Sequence, residues 1–596
     1  MKRSIVLVAI VAAAIVLVGC PNPMNGEQGA TYTVSYDANG ATAGTAPADQ
    51  TKTAGTDVTL AENSGGLARD GFSFAGWNTA ADGSGTDYAE GATYSADADL
   101  TLYAKWTTLP TYTITYNPNG ADSGSTPAEQ TKIEGTDLTL AENTGNLQRS
   151  GFTFAGWNTA SDGTGTSYAE GATYSADADL TLYAAWAPDL AKILASDTGG
   201  GDNFGYSVAV DGDYAIVGSR YDGDNGTNSG GAYIFRRTGP NRWDSGTKIV
   251  AADGEAGDQF GTSVAISGDY AILGAPIDDI DVDGDSTEES GVGSAYIFQR
   301  TGTNSWDTGT KIVASDGAAI DRFGKSVSID GDYAIVGSRL SDIDVDGDTT
   351  AEQDVGAAYI FRRTGPNSWV EDAQLLASDG GADDEFGLSV AIEGAYAIVG
   401  APLNDDDASN AGSAYIFRRT GTSTWDTGIK VVATDPGGDR FGESVAISGD
   451  YAIVGAYLND DAGLNSGSAY IFHRSGTGNS WDTGTKIVAS DAASIDVFGH
   501  SVGISGDSAI VGAYGNDHVD DGDSMDNDYD GSAYIFHRTG TNSWTEETQI
   551  IASDAESDDY FGYSVAIDGD YAIAGAWRND DSGSDTGSAY IRIIAR

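Results

Sequence analysis

The stretch KILASD at residues 192–197 decides the fold, because it reads as a strand without a unit of its own. Six related runs begin at Lys248, Lys311, Gln374, Lys430, Lys486 and Gln549, and each follows an AYIF motif (at 232, 295, 358, 414, 469 and 533) across a loop that carries a tryptophan. KILASD precedes the first of these motifs, whereas the seventh, AYIRIIAR at 589–596, has no such run after it. Laying 192–197 beside 588–595 joins two incomplete pieces into one complete unit.

The unit itself recurs seven times. Phe-Gly pairs begin at Phe204, Phe260, Phe323, Phe386, Phe441, Phe498 and Phe561, spaced by 56, 63, 63, 55, 57 and 63 residues. Each copy reads as four strands: FGYSVAV, a short Asp-Gly or Ser-Gly hairpin, DYAIVG, then GAYIF after a variable loop, then KIVAAD after the Trp-bearing loop. Asp, Ser and Gly suit a two-residue hairpin, and small and β-branched residues in the first two strands allow close packing on both faces. A four-stranded unit cannot bury both faces alone, but seven stacked radially bury one another. The expected fold is therefore all-β: a seven-bladed β-propeller of four-stranded blades over 188–596, its ring closed by the N-terminal strand. A linear β-solenoid would need no orphan strand.

Phe260-Gly261 through Gly274-Ala275-Pro276, and Phe386-Gly387 through Gly400-Ala401-Pro402, resemble the FG-GAP repeats of the integrin α-subunit propeller and of many bacterial exported proteins. The resemblance implies a propeller but not an activity, since propellers host many functions. In the integrin version calcium cages sit in the hairpin between the first two strands. Here that hairpin is only DGD, SGD or EGA, and no cage fits.

The acidic residues fall in the next loop instead. From Phe-Gly to Ala-Tyr-Ile the distance is 28 residues in four repeats and 35 in the second, third and sixth, which carry seven-residue insertions. In the second, Asp279, Asp281, Asp283 and Asp285 bracket Gly284; in the third, Asp342, Asp344, Asp346 and Asp348 bracket Gly347; in the sixth the pattern loosens to Asp517, Asp521, Asp523 and Asp528. Alternate carboxylates around a tight turn can converge on Ca2+, which takes 6–8 oxygens. The twelfth position is Ser290 or Gln353 rather than a bidentate Glu, so Glu288, Glu289, Glu352 or Asp354 would complete the shell. The alternative is a solvated acidic hairpin. A second acidic set (Asp202, Asp258, Asp321, Asp384, Asp439, Asp496 and Asp559) lies two residues before each Phe-Gly and reads as turn-forming Asx residues, on the same rim as the insertions.

Ahead of the repeats the chain repeats at a period of 80, with TYTVSY, GFSFAGWNTA and DLTLYAKW at 31–107 matched by TYTITY, GFTFAGWNTA and DLTLYAAW at 111–187. These motifs resemble the Listeria-Bacteroides (internalin B-type) repeat, which implies two small β-grasp-like modules serving as spacer or adhesion elements. Their aromatics, Phe72, Phe74, Trp77, Tyr103 and Trp106, read as core.

Residues 1–20 read as a lipoprotein signal: Lys2 and Arg3, an apolar run Ile5 to Gly19 too short to span a bilayer, then Leu17-Val18-Gly19-Cys20. Cleavage before Cys20, the sole cysteine, would leave an acylated residue followed by a tether at 21–30, each buried methylene contributing ~0.8 kcal/mol to anchoring. No disulfide can form within the chain. The formal charge of −59 argues against nucleic acid as a partner. No Ser-His-Asp pattern, catalytic Cys, phosphate loop or HExxH stretch occurs; His473 and His537 take a slot held elsewhere by Arg, and His500 falls in a slot that varies freely among repeats.

The expectation is a lipid-anchored protein of the outer membrane or cell surface, attached to the membrane through Cys20. It would act in adhesion or recognition of an extracellular protein or carbohydrate through an acidic propeller rim, with calcium as cofactor. The alternatives are a propeller hydrolase or lyase acting on polysaccharide and a structural envelope protein without a discrete ligand. Two carboxylates ~5 to 10 Å apart in the central channel would favour the hydrolase.

Overall fold

The computed structural model describes residues 29–594 apart from 151, 189, 198, 240, 283, 345–349, 477, 518–528, 581 and 582. The expected signal, Cys20 and most of the tether lie outside the described residues, as do Asp283, Asp346, Asp348, Asp521, Asp523 and Asp528. All regular elements described are β-strands, and no helix is long and apolar enough to cross a membrane. The chain divides into two compact units, one built on most of the two N-terminal repeats and one comprising Gln148–Phe154 and the chain from Trp186 onward.

In the first N-terminal repeat, Thr31–Asp37 runs parallel to Leu100–Thr108, with Val34 opposite Leu100, and antiparallel to Gln50–Thr53; Phe72–Asn78 flanks the other side of Leu100–Thr108. The parallel central pair is what a grasp-like sheet requires, but among the described residues no helix lies across it. Trp77 is fully buried, edge-on to Tyr36 at 4.8 Å and Phe74 at 5.2 Å, and its indole N–H donates to the Ala61 carbonyl at 2.9 Å. Thr111–Asn117, Phe152–Asn158 and Leu180–Pro188 repeat the arrangement around Trp157. Trp77 lies in the core with Phe74 and Trp106 packed half-buried against it, whereas Phe72 and Tyr103, also expected there, are half-buried outside that cluster.

The second unit holds seven small antiparallel sheets among the described residues, one per Phe-Gly motif. In the first, Phe204–Asp211, Tyr214–Ser219, Gly231–Gly239 and Thr247–Ile249 pair in chain order. The hairpin register places Asp211 opposite Tyr214, so the turn residues are Gly212 and Asp213, one place beyond the expected Asp-Gly pair. Gly at the first turn position with φ near 54° to 59° in every repeat fits the primed turns that follow strand twist. In the last sheet Leu190–Ile193 pairs antiparallel with Ser588–Ile593, bringing Lys192 opposite Tyr590. First strands neighbour one another in cyclic order, Phe204–Asp211 against Ser263–Ser267 and onward to Phe561–Asp568, which lies against Phe204–Asp211 again.

Apolar clusters fill the space between successive sheets. At the seam, Ile193, Phe204, Val208, Val217 and Tyr233 pack with Ile573, Ala589 and Ile591. Each such Val, Ile or Phe contributes about 1.5–3 kcal/mol by leaving water.

The two glycines of each repeat meet across the same junctions. A Cβ on Gly205 would come within 2.3 Å of the Ser588 carbonyl oxygen, one on Gly261 within 2.3 Å of Gly231, and one on Gly324 within 2.2 Å of Ser294. All seven Phe-Gly glycines also have φ between 83° and 99°, so the motif is doubly required. The glycine ending each second strand abuts the next Phe-Gly carbonyl, Gly218 against Gly261 and Gly575 against Gly205. The seven phenylalanines are fully buried, and their backbone N–H groups reach the preceding repeat, from Phe260 to Ser229 (2.9 Å) and from Phe204 to Thr586 (3.1 Å). The residue before each Phe (Asn203, Gln259, Arg322, Glu385, Arg440, Val497, Tyr560) is left-handed, with φ of 53° to 61°. A left-handed non-glycine in every repeat indicates that the junction over-determines the backbone there.

Candidate functional site

The closest carboxylate cluster among the described residues is Asp197, Asp222 and Asp224, whose oxygens lie within 4.8 Å of one another. The ammonium of Lys248 occupies it, 2.9, 2.7 and 2.6 Å from the three in turn, and the Tyr233 hydroxyl donates to Asp197. The box recurs at successive junctions: Lys311 with Asp253 and Asp278, Lys430 with Asp379 and Asp406, Lys486 with Asp435 and Asp461, and Lys192 with Asp554. In the third and sixth repeats Gln374 and Gln549 take the Lys position, and the slot of Asp222 becomes Ser341 or Asn516. The same slot is Asn404, Asn459 or Asn579 in repeats that keep the Lys, and among the described residues Lys248 alone faces three carboxylates; each of these Lys boxes is a structural joint whose cation is the protein's own.

The Asx reading of the residues before Phe-Gly holds. Asp258, Asp321, Asp384 and Asp496 are buried and accept the N–H three residues upstream, at 2.6 Å from Glu255 for Asp258 and 2.8 Å from Ala318 for Asp321. Burial raises the Asp258, Asp321 and Asp496 carboxyls to about 6.

The described part of the second-repeat insertion is a hairpin in which Ile280 and Glu289 exchange backbone hydrogen bonds. Asp281 accepts from Gly284 (2.7 Å) and Ser286 (2.9 Å), Asp285 from Thr287 (2.8 Å), and Asp279 from Gly291 (2.7 Å). Asp279 and Glu288 also line a cavity of about 260 Å³ with Asp253, Asp258, Asp278 and Lys311. Among the described residues these carboxylates do not bring three oxygens within 4.8 Å of one another, and Asp253 and Asp278 are paired with Lys311, so the described part of the loop does not show the convergence expected from the spacing: its Asp side chains cap their own backbone. In the third repeat Ile343 pairs with Glu352 and Asp342 accepts from Asp354 at 3.0 Å; Asp344 stands in the same hairpin, and Asp517 borders the sixth insertion.

The richest chemistry lies in the slot immediately after Phe-Gly. The seven residues there are Tyr206, Thr262, Lys325, Leu388, Glu443, His500 and Tyr563, on an otherwise near-invariant frame. Neighbouring slots touch: His500 and Tyr563 have ring centroids 4.6 Å apart, Tyr563 and Tyr206 5.2 Å. Trp577 (5.7 Å from Tyr563), Tyr514 (5.3 Å) and Tyr560 (5.6 Å from Trp577) extend these into one aromatic wall. Burial lowers the His500 imidazole to about 4, so at neutral pH it is uncharged and its Nδ1–H donates to the Tyr563 carbonyl at 3.1 Å.

Opposite the wall stand cations. Arg220, Arg322, Lys325 and Arg339 line a cavity of about 200 Å³ with Thr262, Pro276 and Ile277. Arg339 pairs with Glu385 at 2.6 Å and Arg220 stacks over Tyr206 at 3.7 Å; among the described residues no carboxylate lies within ion-pair distance of Arg322 or Lys325. Burial opposes ionisation of Tyr206, yet Lys325 and Arg220 outweigh it and hold the phenol below its ordinary value. Burial raises the Glu443 carboxyl, whose Oε2 is buried without a hydrogen-bond partner. Four cations thus gather here in a chain of net charge −59, beside Glu385 and Glu443. Sequence reading missed this site because it saw one slot at a time; the signal available was that the slot varies while its neighbours do not.

An FG-GAP repeat model matches residues 188–235, 243–298, 306–361, 369–417, 425–472, 481–536 and 544–592. The chain belongs to the FG-GAP repeat family. Residues 32–105 and 112–185 match the Listeria-Bacteroides repeat domain. Among curated proteins this FG-GAP chain is 33% identical over 175 residues to one named "Putative Gly-rich membrane protein" from Evansella cellulosilytica, covering 28% of the chain and 20% of that protein. A second protein of that organism, also named as a membrane protein, is 34% identical over 164 residues, covering 27% of the chain and 23% of its own length. The chain thus spans about a fifth to a quarter of the relatives it matches.

Proposed function

We propose that this FG-GAP protein is a lipid-anchored surface or envelope protein whose seven repeats close into a seven-bladed ring and bind an anionic glycan at the ring mouth. The observation that carries the reading is the convergence of an aromatic wall (Tyr206, Tyr563, Trp577) with Arg322 and Lys325, neither of which has a described carboxylate within ion-pair distance. Aromatic faces stack on sugar rings, and Arg with Lys supplies charge-assisted bonds to a carboxylate or sulfate. Family membership, relatives named as membrane proteins and the Listeria-Bacteroides repeats support the envelope location. Cys20 is the proposed attachment point, and Asp279, Asp281 and Asp285, with Asp283, are proposed to hold calcium beside the mouth. A hydrolase would need a second carboxylate facing Glu443, and Glu385, in the preceding repeat, is engaged by Arg339.

A glycan array probed with the full-length protein tests this reading. Uronate-bearing or sulfated oligosaccharides should be retained, and Lys325→Ala and Trp577→Ala should each reduce retention at least tenfold. Retention of neutral glycans alone, or indifference to both substitutions, would contradict it.

A further inference from the structure

Six of the seven second strands begin with Tyr: Tyr214, Tyr270, Tyr333, Tyr396, Tyr451 and Tyr571. Each of these rings is covered by an arginine from the third strand of the following repeat: Arg300 over Tyr214 at 4.5 Å, Arg538 over Tyr451 at 4.7 Å, and likewise at the other four. The sixth repeat has Ser508 in place of Tyr. The seventh has Ile594 in place of the covering Arg, placed by the same backbone bond, Ile594 N–H to the Asp570 carbonyl (2.7 Å), that Arg300 makes to Asp269 (2.8 Å). Both partners change at one junction and nowhere else. What is left is a cavity of about 310 Å³ lined by Ser508, His537, Thr539, Thr545, Glu547 and Ile594.

Ser508 is fully buried and its Oγ has no hydrogen-bond partner. His537 lies opposite it in the sheet and Thr545 lies opposite His537, so His537 and Thr545 stand side by side at the opening with Ser508 buried behind them. In the fifth repeat the corresponding Tyr451 ring packs on His473 with centroids 4.8 Å apart. Thr539, Thr545 and Glu547 are exposed and keep the cavity open to solvent.

We infer that this junction is a binding site for a single phenolic ring, seated on His537 where the other repeats seat their own tyrosine, with the phenol hydroxyl meeting Thr545 or Glu547. The site is independent of the ring mouth. A flat ring recovers the dispersion contacts that the void forgoes.

The test uses the full-length protein and the imidazole C–H resonances of its four histidines, with His537 assigned through His537→Gln. p-Cresol at about 20 mM, above the dissociation constant expected of a single ring, should shift the His537 signal saturably while leaving His473 and His500 in place. Ser508→Tyr should abolish the shift and raise Tm, and Ser508→Tyr with Ile594→Arg should raise it further by restoring the Tyr–Arg pair. Competition by the peptide acetyl-Gly-Tyr-Gly-amide would identify a partner's tyrosine as the source of the ring; competition by free phenols alone would identify a small molecule. Absence of a His537 shift, an equal shift at His473, or an undiminished shift in Ser508→Tyr would overturn the inference.

Discussion

Ser564 and Gly205 stand 359 residues apart in sequence and are joined by a hydrogen bond of 2.9 Å from the Ser564 hydroxyl to the Gly205 carbonyl. The same bond links Ser207 to Gly261, Ser263 to Gly324, Ser326 to Gly387, Ser389 to Gly442 and Ser444 to Gly499. The seam between last and first repeats is therefore built like an internal junction, and substitutions there should cost what they cost elsewhere.

Gly205→Ala and Gly387→Ala should destabilise the protein alike, by about 2–4 kcal/mol, because each sets a Cβ 2.3 Å from a carbonyl oxygen at a left-handed position. Scanning calorimetry of the full-length protein checks this. A loss at Gly387 with none at Gly205 would mean that the seam is open.

The seam was legible in the sequence because KILASD carries the same alternation and closing Asp as its six sisters, and a strand without a unit must pair somewhere. Counting Phe-Gly motifs likewise foretold seven sheets, and the Asp before each motif read as a turn residue because it recurs with or without an insertion. The lysine boxes escaped notice: Lys248 and Asp222 belong to different strands and loops, and only folding brings them to 2.7 Å. The grouping of Lys325 with Tyr206 was hidden for the same reason, since the two come from repeats that are not neighbours. Calcium was argued from spacing alone, whereas the described carboxylates of the insertion also cap their own backbone, a use of Asp that spacing does not distinguish from ligation.

Lys248→Met should destabilise by about 2–4 kcal/mol, toward the lower part of the range for stripping a partner from a buried charge because Asp197 and Asp224 remain open to solvent. The same substitution should create a divalent-cation site from Asp197, Asp222 and Asp224. Calcium at millimolar concentration should then raise the Tm of the variant by more than that of wild type; an equal rise in both would show that the ammonium does not fill a cation site.

The pH dependence has a definite sign. Asp258, Asp321 and Asp496 have folded pKa values raised to about 6 from 3.8, so the folded state binds protons more tightly than the unfolded. Their stabilising effect is complete below about pH 4 and is lost as pH rises through 6. Lowering the pH from 7.5 to about 5.5 should therefore raise Tm, and the triple variant Asp258→Asn, Asp321→Asn, Asp496→Asn, which keeps an accepting oxygen for the turn, should flatten the slope. An unchanged slope in the variant would assign the effect to net charge instead.

Calcium added to wild type after chelation should raise Tm, and Asp279→Asn with Asp281→Asn should reduce the rise by at least half. A rise untouched by the double variant would move the cation away from the second-repeat insertion.

The whole arrangement depends on Leu190 lying opposite Arg592 in one sheet. Cys20 is the sole cysteine, so Leu190→Cys with Arg592→Cys in a Cys20→Ser background leaves one possible intramolecular disulfide. Opposite residues of an antiparallel pair lie within the Cα separation that a disulfide spans. Mass spectrometry of the oxidised, folded protein should find the cross-linked peptide pair from 190 and 592 in nearly every molecule, as monomer. Free thiols at both positions, or cross-links only between molecules, would contradict the closed ring.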